Sequence, residues 1–351
     1  MAVTLKDIAE RAGISVSTVS RIINNDTSKK ASKETSDKVW EIVKELGYVP
    51  NQNARKLIKG EGDESNPIKT KAIGCIFTSK DSSYTDPFFA EIARGIQDEI
   101  VKRGYVMGYT YSSYDMTDSA LYNNISTNKV DGVIILGRFS MDMLKFLKHN
   151  TNNLIYTGIN YVDAKFDEII CDGYKAACAA TQYLIKLGHK KIGFIGTIPK
   201  EGNSDIVNEH RHEGYVHTLT QHQIEVPEAF VCNIELTTFE GYRVAKEMLA
   251  KTGEKPTALF CANDAVAIGT MRAANELGVK VPEDLSIIGI DDIEMANFTS
   301  PPLTTIHVPK EELGRFAVKT LIDRIEGHHE LPLRIDLPYE LIERQSCKAL
   351  N

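Results

Sequence analysis

The chain has no C-x-x-C pair and no cysteine–histidine cluster at metal-ligand spacing. Its six cysteines, Cys75, Cys171, Cys178, Cys232, Cys261 and Cys347, are scattered, mostly within apolar runs. They read as reduced, buried small hydrophobes. No apolar run is long enough to span a bilayer and the basic, polar N-terminus has no signal-peptide core, so no membrane partner is expected and a cytoplasmic location follows. No G-x-G-x-x-G or G-x-x-x-x-G-K-[ST] follows a strand-like run, which leaves a nucleotide cofactor without a cradle. The G-x-S-x-G elbow is missing as well. The histidines His210, His212, His217 and His222 include an H-x-H, but positions 210 and 212 point to different sides of a helix and no carboxylate completes a ligand set. A solvated helix face accounts for them, and a polar turn for His328-His329. The expectation is a non-enzyme with no catalytic residue, cofactor or metal.

What is present is a soluble globular composition, 42% apolar and 25% charged, spread over 351 residues and so over two or three domains. Charge is split. Residues 1–60 carry 11 Lys/Arg against 7 Asp/Glu, a net of +4, while the remainder carries −11, the two making the −7 of the whole chain. A small cationic head on an anionic body suits local contact with a polyanion, although a basic tag on a helical subdomain has the same profile.

Residues 4–24, TLKDIAERAGISVSTVSRIIN, read as two short helices broken at Gly13. Thr4 caps the first, with Asp7 completing a capping pattern, and Leu5, Ile8, Ala9 and Ala12 share a face. Gly13 permits the left-handed corner. Ser15 caps the second helix, whose Val19, Ile22 and Ile23 face inward and whose Val16, Ser17, Ser20 and Arg21 face out. Small polar groups at the start of an exposed helix suit a DNA major groove, and Arg21 suits guanine edges or phosphate. A plain helical hairpin shares this pattern. Lys29-Lys30 then offer a phosphate contact in a polar loop. Ser32 caps a third helix, 33–46, in which Trp40, the only tryptophan, fills a small core. After Gly47, Asn51 caps a short helix over about 51–59, with Ala54, Leu57 and Ile58 on one side. It is too short and weakly apolar to stand alone. The polar, acid-rich stretch from Gly60 to Lys71 closes this part. The domains are therefore a 1–60 helical head with its hinge helix, a 61–71 linker, and a 72–351 body.

The body alternates short β runs with amphipathic helices. Strands are expected at 72–77, 105–111, 132–136 and 154–159 in a first half that ends there, with helices at about 88–103, 120–128 and 141–149. A second half places strands at 191–196, 229–233, 258–262 and 286–291 among helices at 173–187, 209–222, 239–249 and 264–277. A final helix at 310–325 and strands near 333–343 are shared. Such alternation implies α/β lobes with parallel sheets, and two similar halves imply two Rossmann-like lobes with a cleft at the strands' carboxyl ends. Phe88 and Phe89 in D-P-F-F, Arg211 after KIGFIG, Asn263-Asp264 and Asp291-Asp292 all follow strands. An amide, a carboxylate, a guanidinium and aromatic rings around one cleft make a good polyol site. Taken singly, the Asn-Asp and Asp-Asp pairs are ordinary helix caps.

With these pieces placed, the chain resembles the lactose/galactose repressor (LacI/GalR) family of transcription regulators over essentially its whole length. The resemblance rests on TLKDIAERAGISVSTVSRIIN, YVPNQNARKL, DPFF, LIKLGHKKIGFIG, FCANDAVAIGTMRAANELGVKVPEDLSIIGIDD and SPPLTTI, in family order. It implies a helix-turn-helix head, a hinge helix, and a two-lobed domain like periplasmic sugar-binding proteins. It assigns Val16, Ser17 and Arg21 to base reading, Thr18 and Ser20 to backbone contacts, and Leu57 to a wedge in the minor groove, where packing on the head is the other reading. Thr4, Ser15, Asn24, Asn51 and Ala54 complete the DNA-facing set. Phe88, Phe89, Asn160, Arg211, Asn263 and Asp291 fall on positions lining the effector cleft. Val16-Ser17 is more like the galactose-type branch.

Three departures stand out. The linker is long and carries Glu61, Asp63 and Glu64, which weakens phosphate contact beside the hinge. Leu236 and Lys310 stand where the lactose repressor has aromatic residues, which argues against lactose-like specificity. The implied function is a dimeric repressor on a near-palindromic double-stranded operator, controlled by a small effector, with a galactoside favoured; a tetramer is not expected, because no heptad run follows Ile342. The alternatives are a cytoplasmic sugar sensor whose head binds protein, or a catabolite-type regulator using a co-repressor protein.

Overall fold

The computed structural model describes residues 4–23, 31–46, 70–78, 86–112, 125, 129–139, 141–151, 153–162, 165–199, 208–226 and 228–350. Asn24, Lys29-Lys30, Asn51, Ala54, Leu57, residues 61–69 of the linker, most of the 120–128 segment and the side chain of Trp40 lie outside the described residues. The chain divides into two compact units, Met1–Thr70 and Lys71–Asn351.

In the head, helix α1 (Leu5–Ala12) begins at a reciprocal cap: the Asp7 N–H donates to Thr4 Oγ1 and the Thr4 N–H to Asp7 Oδ2. It ends at Gly13, φ 72° and ψ 31°, whose N–H returns to the carbonyls of Ala9 and Glu10. Helices α2 (Val16–Ile23) and α3 (Lys33–Leu46) follow, the latter capped by Ser32, which accepts from the Thr35 N–H at 3.2 Å. Ile8, Val19 and Val39, all fully buried, are the centre of a core completed by Ala9, Ala12, Ile22, Ile23, Ile42 and Val43.

The body holds two six-stranded sheets with one plan. The first contains β1 (Ala72–Thr78), β2 (Val106–Ser112), β3 (Gly132–Gly137), β4 (Leu154–Gly158), β5 (Asp167–Ile170) and β11 (Arg334–Asp336), ordered β11-β5-β4-β3-β1-β2 and parallel throughout. The second contains β6 (Ile192–Gly196), β7 (Val231–Asn233), β8 (Ala258–Cys261), β9 (Ser286–Asp291), β10 (Thr304–His307) and β12 (Glu340–Ile342), ordered β12-β10-β9-β8-β6-β7. Only β12 runs antiparallel. Around them pack α4 (Pro87–Lys102), α5 (Met141–Asn150), α6 (Gly173–Lys186), α7 (Arg211–Gln221), α8 (Thr238–Ala250), α9 (Asp264–Glu276) and α10 (Lys310–Glu326). Strand order reverses at β1 and at β6, the switch points beside which doubly wound sheets hold ligands.

The first half does not end at residue 159, as the periodicity suggests. Asp167–Ile170 forms a further strand, buried along its length despite two leading carboxylates. Asp167 is wholly buried and takes both N–H arms of Arg324 (2.5 and 2.7 Å), His329 Nε2 at 3.1 Å and the Leu333 N–H at 2.8 Å. Residues 228–230 form a 3-10 turn, so the strand expected from 229 starts at Val231.

The chain crosses between lobes after β5, after β10 and between β11 and β12. The last helix belongs to the first lobe, where α10 lies against α4. Gly95 and Gly314 let these helices touch backbone to backbone: a Cβ on either would sit 2.1 Å from the Glu311 carbonyl oxygen or 2.2 Å from that of Ile92. No described helix is long and apolar enough to cross a membrane.

Candidate functional site

Helix α2 turns its apolar side into the head and leaves Val16, 43% accessible, and Ser17 exposed, with Ser20 and Arg21 half-buried beside them. Ser15 caps the helix through the Thr18 N–H at 3.2 Å, and its hydroxyl lies 2.9 Å from Ser17 Oγ and 2.8 Å from Thr18 Oγ1. Arg21 lies back along its own helix, Nε donating to the Ser17 carbonyl and Nη2 to Thr18 Oγ1, both at 3.3 Å. These are long bonds, readily exchanged for a stronger acceptor. Thr4 is exposed, its hydroxyl donating to Asp7 Oδ2 at 2.7 Å.

In the body, the expected cleft residues gather at the carboxyl ends of the strands. Asp86 caps α4 through the Phe88 N–H at 2.9 Å, which sets Phe88 edge-on to Phe89 at 5.3 Å. Asn160 follows β4 and is 4% accessible. From the second lobe, Asn263 follows β8 and Asp291 ends β9 with φ 122°. Asn263 Oδ1 caps α9, accepting from the Val266 N–H at 2.9 Å. That is the bland role its Asn-Asp pairing allowed, and it engages one amide oxygen. The lobes also touch directly. Arg138 Nη1 donates to Thr197 Oγ1 at 2.6 Å, while Asn208 Nδ2 donates to the Gly137 carbonyl at 2.9 Å and Tyr156 Oη at 3.1 Å. Tyr161 stacks on His210 at 4.3 Å with Arg334 over its other face.

Arg211 is less available than its sequence position suggests. Glu209, fully buried, grips it as a fork: Nε to Oε1 at 2.9 Å and Nη2 to Oε2 at 2.5 Å, with Nη1 donating to the Ala262 carbonyl at 2.9 Å. Burial by itself would raise the Glu209 pKa, yet the Arg211 guanidinium holds it below the usual range, so the pair is ionised and self-neutralised. Asp291 goes the other way. Burial, then the nearby Asp264, push it well above the ordinary carboxyl value against the pull of Arg211 and Lys310. Asp264 is itself raised to about 7, by burial against hydrogen bonds from Thr305 and the Ile293 N–H. The Asp291 carboxyl therefore resists ionisation more than an ordinary carboxylate. Asp86 of the first lobe is near enough to act on it.

Among the described residues, four buried side-chain polar atoms lack a partner: Tyr109 Oη, Asn160 Oδ1, His210 Nε2 and Asp291 Oδ1. Asn160 and Asp291 lie at strand ends, and His210 lies against Tyr161 just beyond β4. An unpaired buried polar atom costs roughly 1–3 kcal/mol, which a hydroxyl-bearing guest would recover. Among the described residues no group of histidine, cysteine or carboxylate could hold a metal; His212 and His217 line an open groove on α7.

Residues 4–51 match the bacterial regulatory proteins of the lacI family, and residues 181–347 match a periplasmic binding protein-like domain. The chain is 33% identical over 348 residues to the HTH-type transcriptional repressor PurR of Escherichia fergusonii, covering 98% of this chain and 96% of that one. The chain belongs to the LacI family. Among solved structures, it is 26% identical to the lac repressor dimer bound to operator and the anti-inducer ONPF, at a TM-score of 0.73, over 99% of this chain and all of that one. A complex of the transcriptional regulator CelR with cellobiose is 27% identical at a TM-score of 0.71, over 98% and 99%.

This LacI-family regulator is therefore a non-enzymatic, cytoplasmic DNA-binding repressor with an effector-binding domain. Sequence reasoning missed several residues at the strand-end side where the lobes meet. Asn208 and Glu209 sit immediately before α7 and carry no motif. Tyr161 follows a strand with no motif around it, and Arg138 follows a glycine with none either. The only available signal was position, since all four lie just beyond a strand or just before a helix. Leu236, which stands where the lactose repressor has an aromatic residue, is partly buried and packs against the hydrophobic core.

Proposed function

We propose that this repressor binds a near-palindromic operator as a dimer and that a sugar held between the lobes sets its DNA affinity. In the head, Val16, Ser17 and Arg21 read base edges, while Thr4, Ser15, Thr18 and Ser20 contact phosphates. Asn24, Asn51, Ala54 and Leu57 extend the contact to the hinge. The dimer is argued from the operator-bound lac repressor dimer, to which the whole chain is similar.

The single observation behind a sugar is the set of unpartnered buried polar atoms at Asn160, His210 and Asp291, with the aromatic pair Phe88 and Phe89 at the start of α4. Such atoms want hydroxyl groups, and a ring edge or face wants the C–H side of a pyranose. The Glu209–Arg211 pair is self-neutralised and adds no net charge that a charged ligand would answer. A galactoside is the first candidate, on the small Val16-Ser17 pair; the CelR complex with cellobiose widens the choice to other sugars. The PurR likeness favours nucleobases as the second reading.

A thermal-shift screen of galactosides, β-glucosides, pentoses and nucleobases decides the ligand, because a true effector stabilises by mass action, by about 2.7 kcal/mol at a hundred times its dissociation constant. Stabilisation by nucleobases and by no sugar would overturn the sugar reading. For the head, Arg21→Ala should weaken operator binding 10- to 100-fold in a gel shift, the worth of about one guanine contact.

A further inference from the structure

Lys310, which stands where the lactose repressor has an aromatic residue, directs its ammonium to backbone carbonyls of the second lobe. Its side chain is 1% accessible. Nζ donates to the Asp291 carbonyl at 2.6 Å and the Asp292 carbonyl at 3.0 Å, with the Val308 carbonyl at 3.5 Å. The carboxylate of Glu91 lies 3.5 Å away on α4. A buried ammonium is costly unless its donors and its charge are both matched, and here they are. Its placement is otherwise unfavourable. It is the first residue of α10, where the helix dipole disfavours a cation and where Glu311 and Glu312 are the expected kind of residue.

The two carbonyls that meet it come from unusual backbone. Asp291 and Asp292 both have positive φ, 122° and 53°, a conformation that residues other than glycine adopt only when held. The Asp292 side chain is anchored within the second lobe by His307 Nδ1 at 2.9 Å and Arg344 Nη2 at 2.6 Å. Among the described residues, the first-lobe side chain that holds the turn by hydrogen bonds is Lys310, carried on α10. The same turn presents Asp291 Oδ1, an unpartnered atom of the cleft. On the far side, Glu91 is one turn from Gly95, where α4 and α10 touch.

We propose that Lys310 is a positioning residue that ties the lobes together, holding the Asp291–Asp292 turn of the second lobe against Glu91 and α4 of the first. A shift of Asp291 on ligand entry then moves the ammonium and, through it, the α4–α10 pair. That last step rests on the cleft being the effector site; the tie itself needs no ligand.

The test is a pulsed-EPR distance measurement on the full-length, ligand-free protein, with spin labels at exposed His149 and Lys251, at the ends of α5 and α8 remote from the cleft. Wild type should give one narrow distribution. Lys310→Met should broaden it and move its centre by several ångströms, Glu91→Gln should shift it the same way by less, and the double variant should go no further than Lys310→Met. A lysine with a merely structural role would lower the melting temperature and leave the distance unchanged, and that result in a variant folded by circular dichroism would overturn the proposal. If Lys310→Met does not fold, Glu91→Gln decides: a shifted distribution supports the tie and an unchanged one refutes it. Failure of the sugar reading would appear separately, in the thermal-shift screen.

Discussion

Replacing Glu209 with glutamine removes one charge from the cleft with almost no change of shape. It leaves the Arg211 guanidinium buried without its bidentate partner, with Asp291 the next acidic group acting on it. Breaking a buried pair by removing one partner costs about 3–5 kcal/mol. Glutamine keeps one oxygen for the Nε donor, so the lower end applies, roughly 3 kcal/mol by that scale. With a urea slope near ~3 kcal/mol per M for a unit of this size, the midpoint falls by about 1 M. The assay must follow the body and not the head. Trp40 is the only tryptophan and lies in the first unit, so circular dichroism is the appropriate signal. The sign with pH is also defined. Glu209 has a folded-state pKa depressed below 4.5, so its pairing stabilises fully above the unfolded value and is lost as pH falls through the folded one. The gap between wild type and Glu209→Gln should be constant from neutral pH to about 5 and close in acid. A gap below about 1 kcal/mol at neutral pH, or one that persists unchanged in acid, would refute the reasoning.

Gly314→Ala should lower stability by roughly 1–3 kcal/mol, since the new methyl meets the Ile92 carbonyl and must part α4 from α10; calorimetry on the full chain checks it. Asp167→Asn should cost about 3 kcal/mol at neutral pH by unpairing Arg324. Burial opposes ionisation of Asp167, but Arg324 and the Leu333 N–H hold its pKa below the ordinary value, so that deficit too should shrink as pH falls through the carboxylate range. Burial pushes the Cys171 and Cys261 thiols up to about 12 and Cys75 higher still, so iodoacetamide at mildly alkaline pH should leave these three unmodified in the native protein and label them after unfolding.

The head was legible because its signals are local. Thr4 with Asp7, Gly13, and the spacing of Ile8, Val19 and Ile22 each act within a few residues, and the helices form where those signals place them. The lobes were legible through alternation alone. What escaped were features in which chemistry overrides local pattern. Asp167 and Glu168 hide a buried strand because their partners, Arg324 among them, lie far along the chain. Glu209 reads as a helix-start acid, and only the fold shows it closed on Arg211. Lys310 reads as a lost aromatic contact, and its partners Asp291, Asp292 and Glu91 come from two different lobes. Periodicity carries no information on such pairings.

The central claim, that occupancy of the cleft sets DNA affinity, is tested most directly by fluorescence anisotropy of a labelled operator duplex. The sugar that stabilises the protein in the thermal screen is titrated into the complex at fixed salt, for wild type and for Asp291→Ala. The account predicts that the sugar changes wild-type operator affinity by 5- to 150-fold, the usual range of coupling between sites. In Asp291→Ala, intrinsic operator affinity should be retained while the response to the sugar is lost. A wild-type affinity that does not move when the cleft is saturated, or an undiminished response in Asp291→Ala, would contradict it.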